Sequence, residues 1–297
     1  MRSKRREAIW GWALASPIVL GFLFWQAFPM LASLGIGLTD WNALRPPDFV
    51  GFDNFQKILT EDRLFWQSLK VTSIFTAVAV PLQLTVAFSI ALVLSGRVRG
   101  GRALRAMYFL PSIVPVIATS ILWLWIFNPQ PYGLLNGALR AVGIPAQGWT
   151  TTTNTALPSL ILMSLWSTGG LMIIFLAGLQ GVPAELYDAV DVDGGSWWHR
   201  IRYVTIPMMT PTILFNLVIA TIVAMQAFTE AFIMTQGGPN NATLFYVLYL
   251  YRKAFLELDF GYASALAWVL FVLLGVVTVL IFRSSRSWVY YEEGSRS

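Results

Sequence analysis

The sequence predicts an all-α integral membrane protein with six transmembrane helices and both termini in the cytoplasm. Three observations carry this. The 297 residues are 56% hydrophobic and only 12% charged, with a mean hydropathy of +0.63, whereas soluble domains carry about 25% charged residues. The apolar residues gather into continuous runs of about 20 or more, the length needed to cross roughly 30 Å of hydrocarbon. Lys and Arg are split unevenly between the loops on the two sides.

The first run begins near Trp12, behind a basic start (Arg2, Lys4, Arg5, Arg6). Ala13-Leu14-Ala15 imitates a signal-peptide cleavage site. Pro17 follows at once, however, and the run continues to Leu38, so it reads as an uncleaved span. The spans expected are about 12–34, 71–94, 106–127, 156–179, 211–234 and 261–282. Period-2 alternation is missing, which argues against strands. With six spans, one side holds both termini and the loops around Arg97–Arg105 and Pro183–Thr210, with 13 Lys and Arg against 7 on the other. Basic loops stay cytoplasmic, and the cluster Arg97, Arg99, Arg102, Arg105 is the strongest vote. The outer loops are then Thr39–Lys70, Asn128–Thr155 and Thr235–Phe260, the first lying along the membrane surface. No soluble domain is visible, so residues 1–297 read as a single transmembrane domain.

Prolines punctuate the spans (Pro17, Pro29, Pro81, Pro111, Pro115, Pro158). Each removes a backbone donor and can bend a helix. That is either ordinary bending or the shaping of a central cavity. In the fourth span Trp166-Ser167-Thr168-Gly169-Gly170 is small and polar amid apolar residues. Glycines there let backbones approach or a helix loosen, and Trp166 either stacks on a ligand or fills a core. In the fifth span Glu230 is the one ionisable group well inside a run. It either reaches the headgroups or faces a cavity. Gln226, four residues earlier, shares its helical face. Asn216, Ala220, Ala224, Ala227 and Ala231 form a small-residue stripe, suited to helix packing or to a path wall.

The chemistry available is narrow. Cysteine is absent, which excludes disulfides and thiolate metal sites. The single histidine, His199, sits between Trp198 and Arg200 without metal-ligand spacing. Neither a phosphate-cradling glycine loop nor a nucleophile motif is present, so no cofactor is expected and the energy for pumping must come from elsewhere. The 183–207 loop is the most informative segment. Glu185, Asp188, Asp191 and Asp193 precede Gly194-Gly195, and His199, Arg200 and Arg202 follow before Pro207. It reads as helix, tight turn, helix.

That loop resembles the E-A-A-x3-G-x9-I-x-L-P signature of ATP-binding-cassette importer permeases. Asp188-Ala189-Val190 stands for E-A-A, Gly194 keeps the spacing, and Val204-Thr205-Ile206-Pro207 stands for I-x-L-P. ELYDAVDVDGGSWWHRIRYVTIP, VGFDNF, YFLPSIVP, TQGGPNNAT and GYASALAWVLF are similar to the carbohydrate-uptake permeases, of the maltose-transport F-subunit type. The resemblance implies the type I importer fold, with an N-terminal helix that wraps a second permease. It implies a heterodimer with that permease, two copies of an ATP-binding subunit that binds the ATP, and an extracytoplasmic solute-binding protein. The setting is a bacterial or archaeal inner membrane. Residues 183–207 would be a coupling loop seated in a groove of the ATPase, through Glu185, Asp188, Ala189, Gly194 and Pro207. The substrate path would be lined near Trp166, Ser167, Thr168, Leu171, Ala220, Ala224, Gln226, Ala227, Thr229 and Glu230. A sugar or oligosaccharide is the implied cargo. The alternatives are glycerol-3-phosphate or another polyol, and a self-sufficient secondary transporter with Glu230 as its ion site.

Overall fold

The structure is a computed structural model that describes residues 2–96 and 98–290. Arg97, the side chains of the N-terminal basic cluster, and the C-terminal residues 291–297 lie outside the described residues. The chain divides into two compact units, residues 1–63 with 250–273, and residues 64–249 with 274–297.

In the first unit, α1 (Arg2–Phe22) passes through a π-helical segment, Leu23–Ala27, into α2 (Phe28–Gly37). The apolar stretch Ile9–Gly37 is long enough to cross a membrane. Among its described residues only Gly37 is buried. Two short strands, β1 (Thr39–Asp40) and β2 (Asp48–Phe49), pair antiparallel with Thr39 opposite Phe49. Among the described residues they are the one departure from helix as regular secondary structure, and α3 (Asp53–Thr60) follows them. The sixth span, α15 (Phe260–Ser285), starts in this unit. Its entry is fixed by close backbone contact. A Cβ on Gly261 would come within 2.0 Å of the Thr39 carbonyl oxygen, and the Gly261 N–H donates to Trp41 O at 3.1 Å. Two turns on, Trp268 Nε1 donates to Ser33 Oγ at 3.1 Å, tying α15 to α2.

The second unit holds the rest. The second span is α4 (Arg63–Ser95), which starts eight residues before the expected Val71. Phe65, expected in a surface loop, is buried on it at 1% exposure. The expected third span, 106–127, is a bent pair. α5 (Gly101–Ile113) and α6 (Val116–Ile126) meet at 98°. Pro115 gives the reason: it lacks an N–H, and it disfavours the α region for Val114, which is extended at ψ 130°. The fourth span is also a pair, α8 (Thr153–Trp166) and α9 (Gly169–Gln180), bent by 47°. With each pair counted as one span, the described residues hold six segments long and apolar enough to cross a membrane. α9 packs against both α5 and α12 (Ile206–Met225). A core of Ala87, Ala91, Leu94, Met172, Phe175 and Met209 joins α4, α9 and α12.

Two of the expected loops are ordered by burial. Within 128–152, α7 (Leu134–Ala141) carries Asn136, which is fully buried. Its Nδ2 donates to the carbonyls of Pro129 and Gln147 at 3.0 Å. Its Oδ1 accepts from Gln147 N at 2.9 Å and Trp149 Nε1 at 2.8 Å. Asn136→Ala strands several buried backbone groups at once, each worth about 1–3 kcal/mol when unsatisfied. The expected outcome is a lower thermal midpoint and new protease cleavage confined to 128–152. Asn136→Asp should share it, because a carboxylate cannot donate.

The segment after the fifth span was expected as an outer loop, yet Leu244, Phe245, Tyr246 and Leu248 are buried. α14 (Tyr246–Tyr251) begins there. Tyr246 N–H donates to Thr72 Oγ1 at 2.8 Å, and Phe245 lies 4.9 Å from the Phe75 ring. This segment is a wedge against α4. Its hydrophobic residues were too few in a row to read as a span, and too apolar to stay in water.

Candidate functional site

A cavity of about 400 Å³ lies inside the second unit. It forms because two helices stop within the span. α8 ends at Trp166 and α9 resumes at Gly169. α12 ends at Met225 and a six-residue helix, α13 (Thr229–Met234), resumes beyond the break. Unwound backbone at membrane depth persists only where protein or a wet cavity receives its polar groups. Ser167, Thr168 and Leu171 line the cavity from the first break. Ala220 and Ala224 line it from α12, and Gln226, Ala227, Thr229 and Glu230 from the second break.

The expected path residues therefore converge, with one exception. Trp166 is outside the lining and packs edge-on against Trp123, with ring centroids 6.3 Å apart. It fills space beside the cavity. Gln226 and Glu230 do reach the same space, although not on one helical face as expected, since the helix is interrupted between them. The small-residue stripe divides for the same reason. Ala220, Ala224 and Ala227 are wall, while Asn216 and Ala231 are buried in packing. Asn216 Nδ2 donates to Leu171 O at 3.5 Å, linking the fifth span to the fourth.

Other wall residues escaped the sequence reading: Phe75 and Gln83 from α4, Val116 and Thr119 from α6, Met163 and Ser164 from α8. Gln83 had a legible signal, as the one amide between residues 71 and 94. A search for charge passes over it. Thr119 had none, because Thr is common in membrane helices. The wall is mainly apolar, and among the described residues its only ionisable side chain is Glu230.

The 183–207 loop is the second feature. α10 (Ala184–Val192) ends in a left-handed turn, with Gly194 at φ 73°. Gly195 N–H then returns to Val190 O at 2.8 Å, closing the helix end. Ser196 caps a three-residue helix, α11 (Trp197–His199). His199 Nδ1 accepts from Ser196 N–H at 3.1 Å. A π-helical segment, Arg200–Thr205, joins α11 to α12 without a break. Two ties cross between the limbs. Arg200 holds Asp191 through two of its guanidinium nitrogens, Nε donating to Oδ1 at 2.6 Å and Nη2 to Oδ2, and Tyr187 OH lies 3.2 Å from Thr205 Oγ1. The ion pair is exposed, so its stabilisation is small, and its effect is on the angle between the limbs. Glu185, Asp188 and Ala189 are exposed on α10, as are Trp197 and Trp198 on α11. Pro207 is the second residue of α12, directly behind the π-helical segment. The loop thus presents an acidic limb and an aromatic limb, and it is joined rigidly to the helix that walls the cavity.

Residues 83–288 match the family model described as binding-protein-dependent transport system inner membrane component. The chain is 41% identical over 295 residues to the probable ABC transporter permease protein YesP of Bacillus subtilis, covering 98% of this chain and 95% of that one. It is 32% identical to the trehalose/maltose transport system permease protein MalF of Thermococcus litoralis, covering 95% and 96%. It is 34% identical to the lactose transport system permease protein LacF of Rhizobium radiobacter, again covering 95% and 96%. Among solved structures, a chain of a bacterial alginate ABC transporter, crystallised in complex with an alginate pentasaccharide-bound periplasmic protein, superposes with a TM-score of 0.83. The identity is 20%, over 96% of both chains.

Proposed function

The chain belongs to the family of binding-protein-dependent transport system inner membrane components, and on that premise we propose that it forms half of the path by which an ATP-binding-cassette importer moves an uncharged sugar or oligosaccharide. It is a multi-pass membrane permease subunit, in a family whose members are not themselves catalytic. The observation that supports the cargo is the cavity wall. Gln83, Gln226 and Thr229 bring amide and hydroxyl groups to an apolar wall, and Glu230 adds an acceptor. Hydroxyl-rich ligands with C–H faces suit such a wall. The wall carries no Lys or Arg to hold a phosphate, which disfavours glycerol-3-phosphate. Relatives that carry trehalose, maltose or lactose in their names agree with this reading.

The partners follow from the same reading. A second permease supplies the other half of the path, and two ATP-binding subunits supply the energy. The 183–207 loop is the coupling loop, with Glu185, Asp188 and Ala189 facing the ATPase, Gly194 setting the turn and Pro207 in the helix behind it. Both termini and this loop are cytoplasmic. An extracytoplasmic binding protein delivers the sugar.

Reconstitution tests this. Proteoliposomes with the complete importer, loaded binding protein and internal ATP should accumulate labelled sugar. The chain alone should give no uptake, with or without an ion gradient. Gradient-driven uptake by the chain alone would return the secondary transporter to first place. Reporter fusions after Arg99, Gly148 and His199 should read inside, outside and inside, and an outside reading at His199 would remove the coupling assignment.

A further inference from the structure

Thr210 lies in the second turn of α12 and is buried. Its hydroxyl makes two hydrogen bonds. Oγ1 donates to Pro207 O at 2.6 Å, and it accepts from Tyr290 N–H at 2.9 Å. The first bond has a local cause. In an α-helix the carbonyl of residue 207 would accept from the N–H of residue 211. That residue is Pro211, which has no N–H and whose ring crowds the same carbonyl. The Thr210 hydroxyl supplies the missing donor. The second bond reaches 80 residues along the chain. Ser285, the last residue of α15, is buried, and its carbonyl accepts from Trp288 N–H at 3.2 Å and Val289 N–H at 2.9 Å. That turn carries the chain back, and the Tyr290 N–H meets Thr210 while its ring stays exposed. One hydroxyl thus ties the end of the sixth span to the base of the fifth. On one side of the tie, the π-helical segment leads into the 183–207 loop, and on the other α12 carries Ala220 and Ala224 to the cavity. Pro207 and Pro211 together remove two backbone donors from this stretch, so it is where the helix would bend if nothing held it.

We propose that Thr210 is a positioning residue for coupled transport. Through Tyr290, the segment after the sixth span braces the base of α12, so that displacement of the 183–207 loop reaches the cavity wall instead of being absorbed by bending at Pro207–Pro211. This rests on the coupling-loop reading, and it gives residues 285–290, remote from both loop and cavity in sequence, a part in coupling. The brace is a backbone N–H held by a side-chain oxygen, so either end can be removed separately.

The test uses the complete importer in proteoliposomes, with a sugar that the wild type accumulates as the labelled probe, and reads sugar moved per ATP hydrolysed. Thr210→Val keeps the shape and removes both bonds. The ratio should fall about fivefold, the factor that corresponds to one net hydrogen bond. Binding-protein-stimulated hydrolysis should stay within about twofold, because the residues facing the ATPase are untouched. Thr210→Ser keeps the hydroxyl and should retain the wild-type ratio. Tyr290→Pro removes the donor at the other end without altering α12, and it should lower the ratio to the same extent. Thr85→Val removes a hydroxyl that bonds back to Pro81 O at 2.7 Å within its own helix, and it should leave the ratio unchanged. A wild-type ratio in Tyr290→Pro overturns the brace, whatever Thr210→Val does. Uptake and hydrolysis falling in proportion in Thr210→Val, with a lower thermal midpoint, make Thr210 a stability residue only and overturn it too. Coupling lost in Gly194→Val but kept in Thr210→Val overturns the brace alone. Coupling kept in Gly194→Val removes the coupling-loop reading and the brace with it.

Discussion

Gly194→Val is expected to leave the permease in the membrane while disconnecting ATP hydrolysis from uptake. Gly194 sits at φ 73°, where a β-branched residue is strained by about 1–3 kcal/mol. An added Cβ would meet nothing within 4 Å, so the strain is wholly in the backbone. It is relieved if the turn opens, and opening swings the acidic limb away from the aromatic limb. A loss of this size at the docking surface corresponds to about 5–150-fold weaker coupling. Gly194→Asn should be close to normal, because Asn tolerates the left-handed region. The adjacent Gly195 fails for a different reason. There a Cβ would lie 2.4 Å from Val190 Cγ1 and 2.8 Å from Val190 O. Even Gly195→Ala must push the end of α10 aside, and it should show the same phenotype. Co-purification with the ATPase subunit, hydrolysis and uptake are the measurements. Full uptake with full co-purification in Gly194→Val would end the coupling-loop assignment.

Gly169→Ala is expected to lower the thermal midpoint of the complex sharply, and Gly169→Leu to prevent its assembly. A Cβ at Gly169 would stand 2.4 Å from Tyr108 O and 2.8 Å from Phe109 Cα, both backbone atoms of α5. Neither can rotate away. The helices must separate, and α9 also packs against α12, so the shift spreads to the cavity wall. Overpacking of this kind costs about 3 kcal/mol for one methyl group, at the upper end of the usual range. Gly170 gives the internal control. Nothing lies within 4 Å of a Cβ placed there, so Gly170→Ala should be neutral, or stabilising by up to about 1 kcal/mol through helix propensity. Thermal unfolding and size-exclusion of the solubilised complex distinguish the two. A cooperative wild-type transition in Gly169→Leu would show that α5 and α9 do not meet as described.

The six spans were legible because lipid imposes length and apolarity on any crossing segment. What was not legible is where they break. Of the flagged prolines, Pro17, Pro81 and Pro158 lie inside unbroken helices. Only Pro115 marks a sharp turn, following Val114 in extended conformation. A proline removes one bond, and whether the helix survives depends on its neighbours, which a sequence does not state. The break at Ser167-Thr168 was hinted at by the glycine pair after it. The break after Met225 was not hinted at, since Ala224 to Phe228 contains neither Gly nor Pro. The site was legible in proportion to charge and spacing. Glu230 and the 183–207 loop stood out, and nine of the ten path residues reach the cavity. Gln83 and Thr119, neutral and on other spans, depended on tertiary contact to be seen.

The interruption between α12 and α13 has a consequence for how such a permease diversifies. The residues that line the cavity at this point, Gln226, Ala227 and Phe228, lie between the two helices. Substituting them changes the chemistry of the cavity without altering helix register below. The π-helical segment and α12 join the 183–207 loop to the other side of the break. Selection can therefore retune what is admitted while the drive train is inherited intact, and a laboratory library confined to these three positions should yield altered cargo preference with hydrolysis still tied to movement.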